Sequence, residues 1–174
     1  MTAPATPVAQ PVAAKLVRDE IKALGLTHVL TVPDSHQKTL LALLAAEQTP
    51  RLLTICTEDE AIAMNLGLYV GGKKSMLVIQ NNGLYACINA LKALSFEARV
   101  PTLMMIGEFL RDPALPSRES PVRAVRMLEP TLEAWDIPYY RLDGPEDLPN
   151  VRRAYEASIE RRGPVAIPVG ARMS

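Results

Sequence analysis

Apolar positions along the chain follow two alternating periods. Val12, Leu16, Val17, Ile21 and Leu24 recur at helical spacing and end at Gly25, a residue suited to the left-handed turn that stops a helix. Residues 28–32 (HVLTV) then form a short β-branched run closed by Pro33, the pattern of a strand. Asp34 or Ser35 can cap a helix reaching about Glu47. The alternation continues with a strand at 52–56 (LLTIC) and a helix opened by Thr57 and stopped at Gly71 and Gly72. A strand at 75–80 (SMLVIQ), a loop at Asn81-Asn82-Gly83, a helix to about Phe96 and a strand at 101–106 (PTLMMI) come next. Residues 107–123 hold three prolines and several charges and read as a long loop. Helices around 127–135 and 145–161 flank a fifth strand at 139–142 (YYRL), and a sixth follows at 165–169 (VAIPV).

Short apolar strands alternating with helices predict an α/β domain of three layers, with a six-stranded, mostly parallel sheet between two sheets of helices. Ligands of such folds bind at the carboxyl ends of the strands. That rule points to three loops, at 33–36, 56–60 and 80–84, which are also the chemically richest. The domain is expected over residues 12–174. Residues 1–11, rich in Ala and Pro without a basic start or an apolar stretch, read as a disordered lead-in.

Composition narrows the function. A chain of 174 residues suits one domain, and its 19 basic and 19 acidic residues cancel, which argues against nucleic acid as partner. No apolar run approaches the roughly 20 residues of a membrane span. The two cysteines, Cys56 and Cys87, imply neither a disulfide framework nor a zinc site and fit a reducing cytoplasm.

Thr57-Glu58-Asp59-Glu60 stands at a helix start. Thr57 and Glu60 have the spacing of a capping box, and negative charge there suits the helix dipole. Glu58 is not needed for that box and lies just after a strand, where a carboxylate can meet a ligand. Gln80-Asn81-Asn82-Gly83-Leu84 fits a plain left-handed turn as well as a ligand contact. It matches neither a Walker loop nor a dinucleotide fingerprint. Gly71-Gly72-Lys73-Lys74 is no phosphate loop, because it follows a helix rather than preceding one.

Three segments together resemble the alpha subunit of sulfopyruvate decarboxylase and the matching domain of phosphonopyruvate decarboxylase. They are Val32-Pro33-Asp34-Ser35, residues 58–67 (EDEAIAMNLG) and residues 80–91 (QNNGLYACINAL), in the expected order and each at a strand-to-helix junction. The resemblance implies the pyrimidine-binding domain of a thiamine-diphosphate enzyme that decarboxylates a 2-oxo acid, a carbon–carbon lyase. In that family the acid after the second strand hydrogen-bonds N1′ of the aminopyrimidine and favours its imino tautomer. Aligning Ala61-Ile62 and Gly67 puts this acid at Glu58, with Glu60 as the alternative register. Ser35 aligns with a polar residue facing the substrate carboxylate, with Asp34 beside it. His36 reads either as a proton relay or as a surface histidine.

Gln80, Asn81, Asn82 and Gly83 correspond to the loop lining the pyrimidine pocket. The Gly-Asp-Gly motif that holds diphosphate and its divalent metal is missing from the sequence. The resemblance therefore implies a beta subunit that carries the Mg2+ and completes the site, in a heterotetramer or larger assembly. Tyr85, where the family has small residues, and the segment Gly107-Glu108-Phe109-Leu110-Arg111 depart from the pattern. An anionic substrate tail calls for an arginine clamp, for which Arg111, Arg118 and Arg123 are the candidates. A larger or less acidic 2-oxo acid, an acyl carboligation, or a non-catalytic regulatory homologue of the same fold is the alternative.

Overall fold

The computed structural model describes residues 9–174. Five strands form one sheet in the order β2-β1-β3-β4-β5, every neighbouring pair parallel. They are β1 (His28–Thr31), β2 (Arg51–Thr54), β3 (Ser75–Gln80), β4 (Thr102–Gly107) and β5 (Pro164–Val169). Strand periodicity divides the core cleanly in two. Val29, Met76, Val78, Leu103, Met105, Val165 and Ile167 face α1 (Ala14–Ala23), α2 (Lys38–Ala45) and α7 (Pro149–Arg161). Leu30, Leu77, Ile79, Met104, Ile106 and Ala166 face α3 (Glu58–Val70), α4 (Asn81–Leu91) and α6 (Leu128–Ala134). Both faces are covered, as a parallel sheet requires, and each fully buried Leu or Ile contributes about 1.5–3 kcal/mol. A short α5 (Arg123–Arg126) precedes α6.

The sheet has five strands rather than the six expected. Residues 139–142 do run beside β5, but only as two isolated parallel bridges, Tyr139 with Ala166 and Leu142 with Val169. Tyr140 N–H donates to Ala166 O and Leu142 N–H to Pro168 O. The ladder needs a donor at position 168 between these bridges, and Pro168 has none. The expected strand is thereby reduced to an irregular edge segment.

Three other expectations are corrected. Neither Asp34 nor Ser35 caps a helix: α2 begins at Lys38, and Asp34 instead accepts the His36 N–H at 2.9 Å in a local turn. Thr57 takes the N-cap position of α3 without capping a backbone N–H, so the capping box does not form. Its hydroxyl serves the Asp59 carboxylate and helps to hold that group below the usual carboxylate range. Of the lead-in expected over 1–11, residues 1–8 lie outside the described residues. Ala9 is buried and donates its N–H to Pro113 O, so packing has already begun there.

From β1 the chain steps outward through α2 to β2, then returns through α3 to place β3 on the other side of β1. The connections after β1 and β3 leave toward opposite faces of the sheet, α2 to one and α4 to the other. A crevice opens where neighbouring strands diverge in this way, at their carboxyl ends.

Candidate active site

The loops after β1 and β3 and the start of α3 all lie along this carboxyl edge. Gln80 ends β3 in extended conformation and α4 begins at the next residue, so the segment expected as a loop is already helical at Asn81. Gly83 is the third residue of α4 and is not in the left-handed region. Its glycine has a different cause. A Cβ at position 83 would overlap Cγ, Cδ and Oε1 of Glu58. The half-buried Glu58 side chain therefore lies directly on the backbone of the first turn of α4, in space that only a glycine leaves open. The positive end of the α4 dipole favours a carboxylate there, as does the N-terminus of α3 from which Glu58 springs. Its charge is felt one turn further along α4, where burial first and Glu58 second push the Cys87 thiol up to about 12.

The loop after β1 is more deeply buried than its polarity suggests. Asp34 is 2% exposed, with its carboxylate against Gly107, where a Cβ would overlap it. Its oxygens accept from His36 N–H at 2.9 Å and from Gln37 Nε2 at 3.0 Å, with Gln80 Nε2 at 3.5 Å. Gln37 is wholly buried and its amide also reaches Ile79 O at 3.2 Å. His36 is buried rather than a surface histidine. Burial is the main cause that holds its pKa below the ordinary value; Asp34, the Gly170 carbonyl and Glu108 oppose the shift, and Arg172 adds to it. Ser35 is exposed.

Three buried polar atoms on these two connections have no hydrogen-bond partner: His36 Nε2, Gln37 Oε1 and Asn81 Nδ2. An unpaired buried polar group costs about 1–3 kcal/mol, so such groups gather where a ligand or ordered water meets them. Asn81 Oδ1 accepts the Asn82 N–H at 3.0 Å, and the exposed Asn82 donates to Gln80 Oε1 at 3.0 Å. Glu58, Gly83, Gln80, Asn81 and Asn82 thus come together, with Asp34 and Gln37 beside Gln80 across the crevice, whereas His36 lies against Gly107 and Gly170.

Tyr85 and Arg111 are engaged elsewhere. The Tyr85 hydroxyl donates to Ala124 O at 2.6 Å, and burial followed by the charge of Glu108 pushes its pKa up to about 12. Arg111 is 7% exposed and pairs with Glu108 at 2.6 Å and Asp143 at 2.7 Å. Arg141 joins the same group, bonding Glu108 and Glu129 at 2.6 Å each. Arg118 is paired with Glu129 and Glu133. Of the three arginines considered for an anion clamp, only Arg123 has no ion pair among the described residues.

No protein-family model matches the chain. Its sequence is 30% identical to the alpha subunit of sulfopyruvate decarboxylase from Methanococcus maripaludis over 156 residues, 89% of this chain and 92% of that one. The chain belongs to the sulfopyruvate decarboxylase alpha-subunit family. A second member, from Methanocaldococcus jannaschii, is 27% identical over 131 residues, 75% of this chain and 76% of that one. Phosphonopyruvate decarboxylase from Streptomyces hygroscopicus is 33% identical over 85 residues, 49% of this chain and 21% of that one. A solved structure of benzoylformate decarboxylase from Polynucleobacter necessarius superposes with a TM-score of 0.70 at 20% identity, a likeness of fold. The alignment covers 92% of this chain and 30% of that protein, so the alpha-subunit fold corresponds to about a third of the longer chain.

Sequence reasoning passed over two residues of this alpha-subunit edge. Gln37 lies three residues after Asp34 and bridges the ends of β1, β3 and β4, with no local signal to single it out. Glu108 lies in a segment that the sequence presents as a loop. A backbone turn, with Arg111 N–H donating to Glu108 O at 3.0 Å, brings the pair together, and a loop sequence gives no sign of it.

Proposed function

We propose that this chain is the alpha subunit of a two-subunit, thiamine-diphosphate-dependent 2-oxo acid decarboxylase, and that Glu58 engages the cofactor's aminopyrimidine. The observation that carries the reading is the seat of Glu58 on Gly83. A carboxylate lies at the strand-end crevice in space that the missing side chain of Gly83 leaves open. The unpartnered Asn81 Nδ2 in the same turn fits a ring acceptor, which makes the residues present suited to an aminopyrimidine.

Glu58 would hold the shared proton at N1′, and Asn81 with Gln80 would orient the ring. Gly83 keeps the backbone low enough for both, and Leu84 with Ile79 closes the apolar floor that excludes water. When bound, thiamine diphosphate supplies the carbon nucleophile and the electron sink that loss of carbon dioxide requires. The buried His36 would relay a proton, and the exposed Ser35 would meet the substrate carboxylate.

The diphosphate and its Mg2+ are assigned to a beta subunit. Two observations support that: the relatives are named as alpha subunits, and the sequence contains no Gly-Asp-Gly. The helices that carry the site also present unpartnered surface. Ala63, Met64, Gly67 and Val70 form an exposed stripe on α3, with Met64 38% and Val70 78% exposed.

Arg111 and Arg118 are already neutralised by carboxylates, which favours a 2-oxo acid with a tail less acidic than a sulfonate, or an acyl transfer, as second reading. Co-expression with a partner carrying Gly-Asp-Gly, followed by carbon dioxide release from a panel of 2-oxo acids, tests the proposal. Activity only in the complex is expected. Tight thiamine-diphosphate binding by this chain alone contradicts the split site.

A further inference from the structure

A cavity of about 220 Å³ opens at the opposite edge of the sheet from Glu58, where β3 and β4 begin. The last turns of α3 and α7 wall it with Tyr69, Tyr155 and Ile159, and Leu103 from β4 contributes to its mainly apolar lining. The Asn65, Ser75 and Ser158 side chains that line it are already satisfied by the protein. Asn65 Nδ2 donates to Pro101 O and to Thr102 Oγ1 at 3.1 Å each, and Ser75 Oγ donates to Asn65 Oδ1 at 2.8 Å.

What remains unsatisfied is positive charge. Lys73 and Lys74 line the cavity and are exposed, and no ion pair among the described residues uses either ammonium. Nor are they needed to close the end of α3. Gly72 N–H donates to Tyr69 O and Lys73 N–H to Leu68 O, a backbone cap with Gly72 at φ +72°. Arg51 stands exposed at the same edge. After burial, the charges of Arg51 and Lys73 are what lower the pKa of His28 there.

An apolar hollow with two unpaired cations attracts a ligand with a negative head and an apolar body. The volume lies below the roughly 300–1,000 Å³ of pockets for drug-sized ligands, which limits that body to about one ring or a branched chain. We propose that this cavity binds a small carboxylate with an aryl or branched-alkyl body, separately from the site at Glu58. Tyr69 and Tyr155 supply the apolar contact, and Lys73 and Lys74 the charge.

Titration calorimetry on the full chain, alone and with its partner, tests this with 3-phenylpropionate and its uncharged amide as probes. The acid is expected to saturate one site and to bind about tenfold more tightly than the amide. Lys73→Gln with Lys74→Gln should remove that tenfold advantage and leave the amide's affinity unchanged, while Tyr69→Ala weakens both. Glu58→Gln should leave the binding of both probes as it is, which separates this cavity from the cofactor site. Equal binding of acid and amide, no loss in the lysine variant, or no saturable binding below about 10 mM overturns the proposal.

Discussion

Replacing Gly83 with alanine adds a single methyl group, and the structure says where it lands. It would occupy the positions of Glu58 Cγ, Cδ and Oε1, so the carboxylate must swing away from the first turn of α4. Glu58 is half-buried and at a helix start, so it can rotate toward solvent without breaking a buried ion pair. Alanine in a helix is favoured over glycine by up to about 1 kcal/mol, which roughly offsets the lost contact. Stability should therefore change by no more than about 1 kcal/mol, or about 2–4 °C in Tm for a domain of this size. Activity should fall as if Glu58 itself had been displaced, by about 100- to 10,000-fold for a group that holds a proton in catalysis. Turnover of the complex with saturating cofactor and the Tm of the isolated chain are the two readouts. The double variant Gly83→Ala with Glu58→Gln should be no worse than Glu58→Gln alone, because both remove the same interaction. Wild-type turnover in Gly83→Ala, or additive losses in the double variant, would refute the reasoning.

Three further outcomes are expected. Glu108→Gln removes the shared carboxylate of Arg111 and Arg141 in a fully buried setting. It should cost about 3–5 kcal/mol, lowering Tm by about 6–20 °C in a thermal melt. The depressed pKa of His36 means that the unfolded chain binds its proton first. The stabilisation is complete above the unfolded value of about 6.5 and is lost as pH falls through the lower folded value. Tm should consequently drop as pH falls below about 6.5, and His36→Gln should flatten that slope. Cys56 is exposed, whereas the Cys87 thiol is buried and pushed up to about 12. Iodoacetamide should label Cys56 in the native chain and reach Cys87 only after denaturation, as mass spectrometry of the peptides would show.

The strands at β3, β4 and β5 were legible because each is a run of apolar residues buried on both faces, bounded by Gly, Pro or polar residues. The segment at 139–142, with Arg141 in it and only Leu142 buried, is shorter and more polar, and its strand pattern is weaker. Whether it pairs continuously depends on a donor in another strand, and Pro168 lacks one. Sequence alone placed Glu58 at a strand end, but the reason for Gly83 was not readable, since Glu58 and Gly83 meet only through tertiary packing. Arg111 looked like a free cation because Asp143, one of its partners, lies 32 residues away. The burial of His36 was not legible, because a polar loop gives no sign of the glycines at 107 and 170 against which it closes.

The account rests on Glu58 acting on the cofactor rather than merely starting a helix. The most direct measurement is the turnover of the Glu58→Gln variant assembled with its partner and saturated with thiamine diphosphate. Glutamine keeps the shape and the helix start but removes the carboxylate. A fall of about 100- to 10,000-fold with the complex still assembled is the predicted result, and full turnover would contradict it.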